Sequence, residues 1–104
     1  MEIKHIKEGD SLTIVVSGRL DTVTSSDLES FIRDNIEGIK HLTFDLKEMD
    51  YTSSAGLRVF LITQKLMSSL IGEMILLNVQ KDVMEVFDIT GFSDILDIRF
   101  ANSI

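Results

Sequence analysis

Three consecutive hydroxyl side chains, Thr52, Ser53 and Ser54, stand directly before Ala55-Gly56 and an apolar run in the stretch YTSSAGLRVFLI. Placed where a strand hands over to a helix, such residues have two uses. A serine there caps the helix, its oxygen accepting a backbone N–H of the first turn. A serine one position further on sits among N–H groups that lack an intrahelical partner, in the positive field of the helix dipole, where negative charge is favoured. Ser53 reads as the N-cap and Ser54 as a first-turn residue. Phosphorylating Ser54 adds about −1.5 to −2 charges at that point, so the fold tolerates the modification and the effect falls on whatever docks beside it. The same residues also read as nothing more than a cap followed by close helix–sheet packing, and the residues alone leave both readings open.

Other chemistry finds little support. The chain has two histidines, His5 and His41. His41 starts a strand, and Ser54 lies past the other end of it. At about 3.3 Å per residue the imidazole belongs at the far end of the sheet, with no third group to orient it as a triad requires. Asp21, Asp45 and Asp50 match no calcium-loop spacing. The chain is therefore read as a non-enzyme, with no catalytic residue, metal or cofactor expected.

The elements that must position Ser54 follow from periodicity. Ile3 to Ile6 reads as a strand, Glu8-Gly9-Asp10 as a turn, and Leu12 to Ser17, rich in β-branched residues, as a second strand; Gly18 permits a bend. A helix follows, with Ser26 and Glu29 at capping-box spacing, Asp27 and Glu29 favouring the dipole, and Leu28, Phe31, Ile32 and Ile36 on one stripe. Gly38 is placed to end it in a left-handed conformation. His41 to Leu46 is the next strand, and Lys47, Glu48 and Asp50 break its apolar character. The second helix runs from about Ser54 to about Ser69, closed by Gly72. Met74 to Val79 is nearly continuous apolar, as in a strand covered on both faces. Lys81 to Thr90 reads as a helix ending at Gly91, and Asp97 to Phe100 as a last strand. The order β-β-α-β-α-β-α-β implies an α/β fold, with a mostly parallel mixed sheet, an N-terminal antiparallel hairpin and helices packed on it.

On the second helix Val59, Phe60, Ile62, Leu66, Met67, Leu70 and Ile71 share a broad arc, read as the core face. Arg58, Gln64, Lys65, Ser68 and Ser69 share the other. At about 100° per residue, Leu57 and Leu61 fall in the polar arc. Ser54, Leu57, Arg58 and Leu61 are thus expected on one exposed face suited to protein docking.

A length of 104 residues suits one domain, 1–104. Without cysteine the chain has no disulfide or thiolate chemistry. Seventeen acidic against ten basic residues leave a formal charge of −7, which argues against nucleic acid as partner. No window reaches the roughly 18 apolar residues of a membrane span, and no signal-peptide-like stretch follows Met1. A cytoplasmic protein is expected.

The segments GRLDTVTSSDLESFI, HLTFDL, YTSSAGLRVFL and VMEVFDITGF resemble, in this order and spacing, the STAS domain of bacterial anti-sigma factor antagonists, over nearly the whole chain. The resemblance implies a mixed sheet with helices packed on it. It implies binding to an anti-sigma factor that is also a serine kinase, with release of a sigma factor. It further implies phosphorylation of the serine before the small residue and glycine, and restoration by a serine phosphatase. That serine falls on Ser54. Asp21 matches an acidic residue near the switch serine, and Thr52, Ser53, Ala55, Gly56, Leu57, Arg58 and Leu61 fall in the partner-binding segment. The best-known members carry an aspartate where Ser53 stands, which makes Ser53 a second candidate acceptor. A further C-terminal helix of the family is short or absent before Ile104, and a monomer or weak dimer is expected. The alternative is a STAS interaction module without the switch, either a regulatory subunit of a transport system or a ligand-sensing domain.

Overall fold

Strand pairing organises the computed structural model, which describes residues 1–100. β1 (Glu2–Glu8) and β2 (Ser11–Leu20) form the antiparallel hairpin, in register from Glu2↔Ser17 to Glu8↔Ser11. β3 (His41–Asp45), β5 (Glu73–Leu77) and β6 (Ile98–Arg99) extend the sheet in parallel, in the order β1-β2-β3-β5-β6. Between the strands run α1 (Thr22–Asn35), α2 (Ser54–Ser69) and α3 (Lys81–Thr90), and a short 3-10 turn covers Phe92–Asp94. The mixed α/β architecture is the expected one, with one addition.

The addition is β4 (Met49–Thr52), which pairs in parallel with β2 rather than continuing the main path. The charges at Lys47, Glu48 and Asp50 hide it in the sequence. The strand is four residues long; Met49 and Thr52 turn inward while Asp50 and Tyr51 face out. Gly18 makes the pairing possible. At φ +86° it occupies a region closed to most side chains. There β2 shifts register, leaving β3 after Val15↔Asp45 and meeting β4 from Gly18↔Met49 onward.

All three helices lie on one face. Phe44 of β3 meets Phe60 of α2 edge-on at 5.2 Å, and Phe60 meets Phe87 of α3 at 6.2 Å. His5, opposite Ile14, meets Phe31 of α1 with tilted rings, centroids 5.0 Å apart. Leu12, Ile14, Val16, Leu42, Phe44, Met74 and Leu76 are buried on that face. Their neighbours Thr13, Val15, Thr43, Ile75 and Leu77 are only half-buried. The expectation that Met74–Val79 is covered on both faces is thus corrected: the apolar run has one packed face and one partly wet one.

Two helix termini also differ from expectation. α1 begins at Thr22, one turn before the Ser26/Glu29 spacing, because Asp21 ends the strand and caps the helix at once. Its Oδ1 accepts from Val23 N and Thr24 N, while Thr24 Oγ1 accepts from Asp21 N at 2.8 Å. Asp27 and Glu29 therefore lie past the first turn, and the charge at the dipole's positive end is Asp21 itself. Gly38 is left-handed as expected (φ +80°), but two residues beyond the C-cap Ile36.

At the end of α2 the left-handed residue is Ile71, φ +56°, not Gly72. Ile71 N donates to Ser68 O, and Gly72 N to Met67 O at 2.8 Å, the paired bonds of a Schellman ending. Gly72 is needed for another reason: an added Cβ would lie 2.8 Å from the Lys40 carbonyl oxygen. A β-branched residue in the left-handed region is strained, and Ile71 is almost fully exposed, so little packing offsets that strain. Ile71→Gly is expected to raise stability by about 1 kcal/mol, read as a melting temperature about 4–8 °C higher; a fall would mean that Ile71 makes compensating contacts.

Among the described residues no helix is long and apolar enough to cross a membrane. The expected shortness or absence of a C-terminal helix concerns positions 101–104, outside the described residues.

Candidate functional site

The site is assembled where β2 and β4 end side by side. Leu20 pairs with Thr52, and Ser53 N donates to Leu20 O at 2.8 Å. This bond sets the starts of α1 and α2 next to each other, with Asp21 and Ser53 as their N-caps. Ser53 has extended backbone (φ −89°, ψ 174°), its Oγ accepts from Gly56 N at 3.3 Å, and its carbonyl accepts from Leu57 N. Ser53 is half-buried and engaged. Ser54 is exposed, and its hydroxyl makes no hydrogen bond among the described residues.

Beneath Ser54 the packing is tight. Thr52 is buried and donates its hydroxyl to Ser53 O at 3.1 Å. Gly56 is buried against β2 and β4: an added Cβ would strike Thr52 Oγ1 and lie 2.7 Å from Leu20 Cδ2. The small residue is therefore set by the approach of α2 to the sheet. Gly56→Ala gains about 1 kcal/mol of helix propensity against about 1–3 kcal/mol of overpacking. A net loss of about 1 kcal/mol is expected in urea unfolding, and a net gain would show that the helix can slide outward freely.

Asp21 brings a carboxylate to the same rim. The N–H and hydroxyl of Thr24 hold its pKa below the ordinary value, with smaller help from Val23 N–H and Arg19. Because the folded-state value is lowered, the stabilisation is present above the unfolded value of about 4 and is lost as pH falls through the folded one. Asp21 is therefore ionised at neutral pH. Across the β2–β4 pair Arg19 stands over the Tyr51 ring at 4.0 Å from its centroid, a cation–π contact. Sequence reasoning missed this pair because β4 was missed with it; only the register Arg19↔Tyr51 joins the two.

The wheel of α2 is rotated from the expected one. The buried residues are Gly56, Leu57, Val59, Phe60, Thr63 and Met67. Leu57, expected on the docking face, is only 4% exposed. It borders the Gly56–Phe60–Thr63–Met67 line, and α2 is covered on that side. Leu61 is half-buried. Conversely Ile62, Leu66, Leu70 and Ile71, expected in the core, are exposed. Of the candidate residues, Asp21, Ser53, Ser54, Ala55, Arg58 and Leu61 retain surface, whereas Thr52, Gly56 and Leu57 support it from below.

His41 is not part of this site. It bonds Glu73 through Nδ1 at 2.8 Å, beside Ser11 in register, while Ser53 follows the Leu20↔Thr52 pair. Nine residues of β2 separate those levels, about 30 Å, so His41 cannot serve Ser54 as a base. Among the described residues no cluster of three His, Cys, Asp or Glu side chains could hold a metal ion.

The chain is similar to known proteins in sequence and in fold. The STAS domain family model matches residues 2–104. An anti-sigma-B factor antagonist of Listeria monocytogenes is 33% identical over 101 residues, 95% of this chain and 87% of that protein. The anti-sigma-B factor antagonist of Bacillus subtilis is 30% identical over 94 residues, 89% and 86% of the two chains. The crystal structure of an anti-sigma factor antagonist from Mycobacterium paratuberculosis superposes with a TM-score of 0.83, covering 94% of this chain and 84% of that one. Its sequence identity is 19%, so the likeness is one of fold.

Proposed function

The chain belongs to the STAS-domain family of anti-sigma factor antagonists, and from that premise we propose a partner switch centred on Ser54. Unmodified, the rim formed by Asp21, Ser53, Ser54, Ala55, Arg58 and Leu61 docks an anti-sigma factor and so frees a sigma factor. The anti-sigma factor is also the kinase. Ser54 Oγ attacks the terminal phosphorus of a nucleoside triphosphate, the bond to the diphosphate breaks, and the hydroxyl proton passes to a base on the kinase. A phosphatase hydrolyses the ester and restores docking. Residues 1–104 act as one STAS unit, a monomer or weak dimer in the cytoplasm.

The observation that carries the reading is the contrast between the two serines. Ser53 is held as the cap, whereas Ser54 is exposed and unbonded beside it. The uncapped N–H groups at the start of α2, and Arg58 one turn on, favour an anion on Ser54 within the chain. A docked partner meets that same anion as a charge to be desolvated.

The test has two parts. The purified chain, added to the anti-sigma factor of its own organism loaded with sigma factor, is expected to release the sigma factor. The chain isolated from its native cell is expected to carry an added mass of about 80 Da, one phosphate, at Ser54, removable by phosphatase. Unmodified Ser54 together with co-purifying transporter subunits would instead favour an interaction module without the switch.

A further inference from the structure

We propose that the outward face of α2 below Ser54, from Arg58 to Leu70, is a second docking surface that takes an acidic amphipathic helix of the anti-sigma factor. The inference rests on the function proposed above and extends the contact more than four turns past the switch residue.

The first observation is apolar exposure in a row. Ile62, Leu66 and Leu70 are 41%, 38% and 38% exposed and recur every four residues, so they form one ridge along the helix. Beside the ridge runs a shallow groove of about 100 Å³ between α2 and α1. Ile32 and Ile36 are buried along it, Ile62 and Leu66 line one side, and the Glu29–Arg33 ion pair at 2.8 Å closes the other. A ridge beside a groove receives side chains spaced three and four apart on a partner helix.

The second observation is charge. The chain carries −7 overall, yet the only charged residues of α2 are Arg58 and Lys65. Both are exposed, and neither has an ion-pair partner among the described residues. A third cation, Lys40, reaches the same end of α2, its Nζ donating to Leu70 O at 2.9 Å. At about 100° per residue Ser54, Arg58, Ile62, Lys65 and Ser69 fall within about 80° of one another, and Leu66 and Leu70 follow about 40° and 80° beyond Ile62, so the apolar ridge starts on the cationic face and runs along its flank beside α1. The one carboxylate on the groove, Glu29, is neutralised by Arg33. A basic, apolar band on a molecule of net charge −7 selects a partner with carboxylates flanking apolar residues, and the net negative charge of the rest of the chain disfavours that partner elsewhere.

The test measures affinity of the full chain for the purified anti-sigma factor of its organism by titration calorimetry, across a salt series. Lys65→Glu, at an exposed position, is expected to leave the melting temperature unchanged, to weaken binding about tenfold or more, and to flatten its salt dependence. Leu66→Ala is expected to weaken binding about tenfold with the salt dependence kept. If both variants bind as wild type while Ser54→Asp still weakens binding, contact ends at the first turn and this inference fails, the switch standing. If the unmodified wild-type chain does not bind at all, both readings fall. Effects of these variants confined to self-association of the chain, or to vesicles of anionic lipid, would also overturn it.

Discussion

Ser54→Asp is expected to weaken the complex with the anti-sigma factor about a hundredfold, a loss of about 2.7 kcal/mol. Ser54→Ala is expected to bind as wild type and to take up no phosphate. The asymmetry follows from what each side chain must give up when the rim is covered. A hydroxyl leaves water at small cost if one hydrogen bond replaces another. An anion leaves water at several kcal/mol unless cations meet it. Arg58, one helical turn along α2, is exposed, so it offsets little once the partner has docked. Phosphate carries up to twice the charge of aspartate, so true phosphorylation should weaken binding further. Affinity measured with the three proteins, alongside phosphate incorporation by the kinase, decides the matter. Full stoichiometric labelling of Ser54→Ala would move the acceptor elsewhere, with Ser53 first in line, and such labelling would require the cap to be released from Gly56 N.

The second large effect is on stability. Phe60→Ala should cost about 3–5 kcal/mol, a large share of the roughly 5–15 kcal/mol available to a domain. Phe60 is fully buried and joins the layers, with Phe44 of the sheet on one side and Phe87 of α3 on the other. Truncation removes both edge-to-face contacts and leaves a cavity that three separate elements would have to move to fill. Phe60 also shares the buried line of α2 with Gly56, so the same loss loosens the helix that presents Ser54. Urea unfolding should show a lower midpoint at unchanged slope, and Phe60→Leu should recover much of the difference. A cost under about 1 kcal/mol would mean that the core collapses around the gap.

Much of this was legible from residues in line. Strand-forming runs such as LTIVVS and HLTFDL, the small residues at Ala55-Gly56 and the hydroxyl run before them give the element order and put Ser54 at a helix start, because those signals are local. The start of α1 was misplaced by one turn. Asp21–Thr24 and Ser26–Glu29 both offer reciprocal caps, and the first prevails because the strand delivers the chain directly to Asp21. The wheel of α2 went wrong for a different reason. Its apolar residues span more than half the wheel, and Leu57 and Leu61 interrupt the polar arc, so periodicity leaves the buried direction loosely set; the close approach of Gly56 to Leu20 and Thr52 fixes it.

The sequence by itself determined the α/β class, the order of elements and the identity of the exposed serine, since each rests on backbone preference within a few residues. Only the tertiary structure decided that β4 exists, that Arg19 lies on Tyr51, that Leu57 is interior and that Ile62, Leu66 and Leu70 are not. Those facts depend on which strand a short charged segment pairs with and on how a helix is turned against its sheet. Both depend on β2 meeting residues about 30 or more positions later, Met49 to Thr52 in one case and Gly56 in the other, and local propensity carries no record of such contacts.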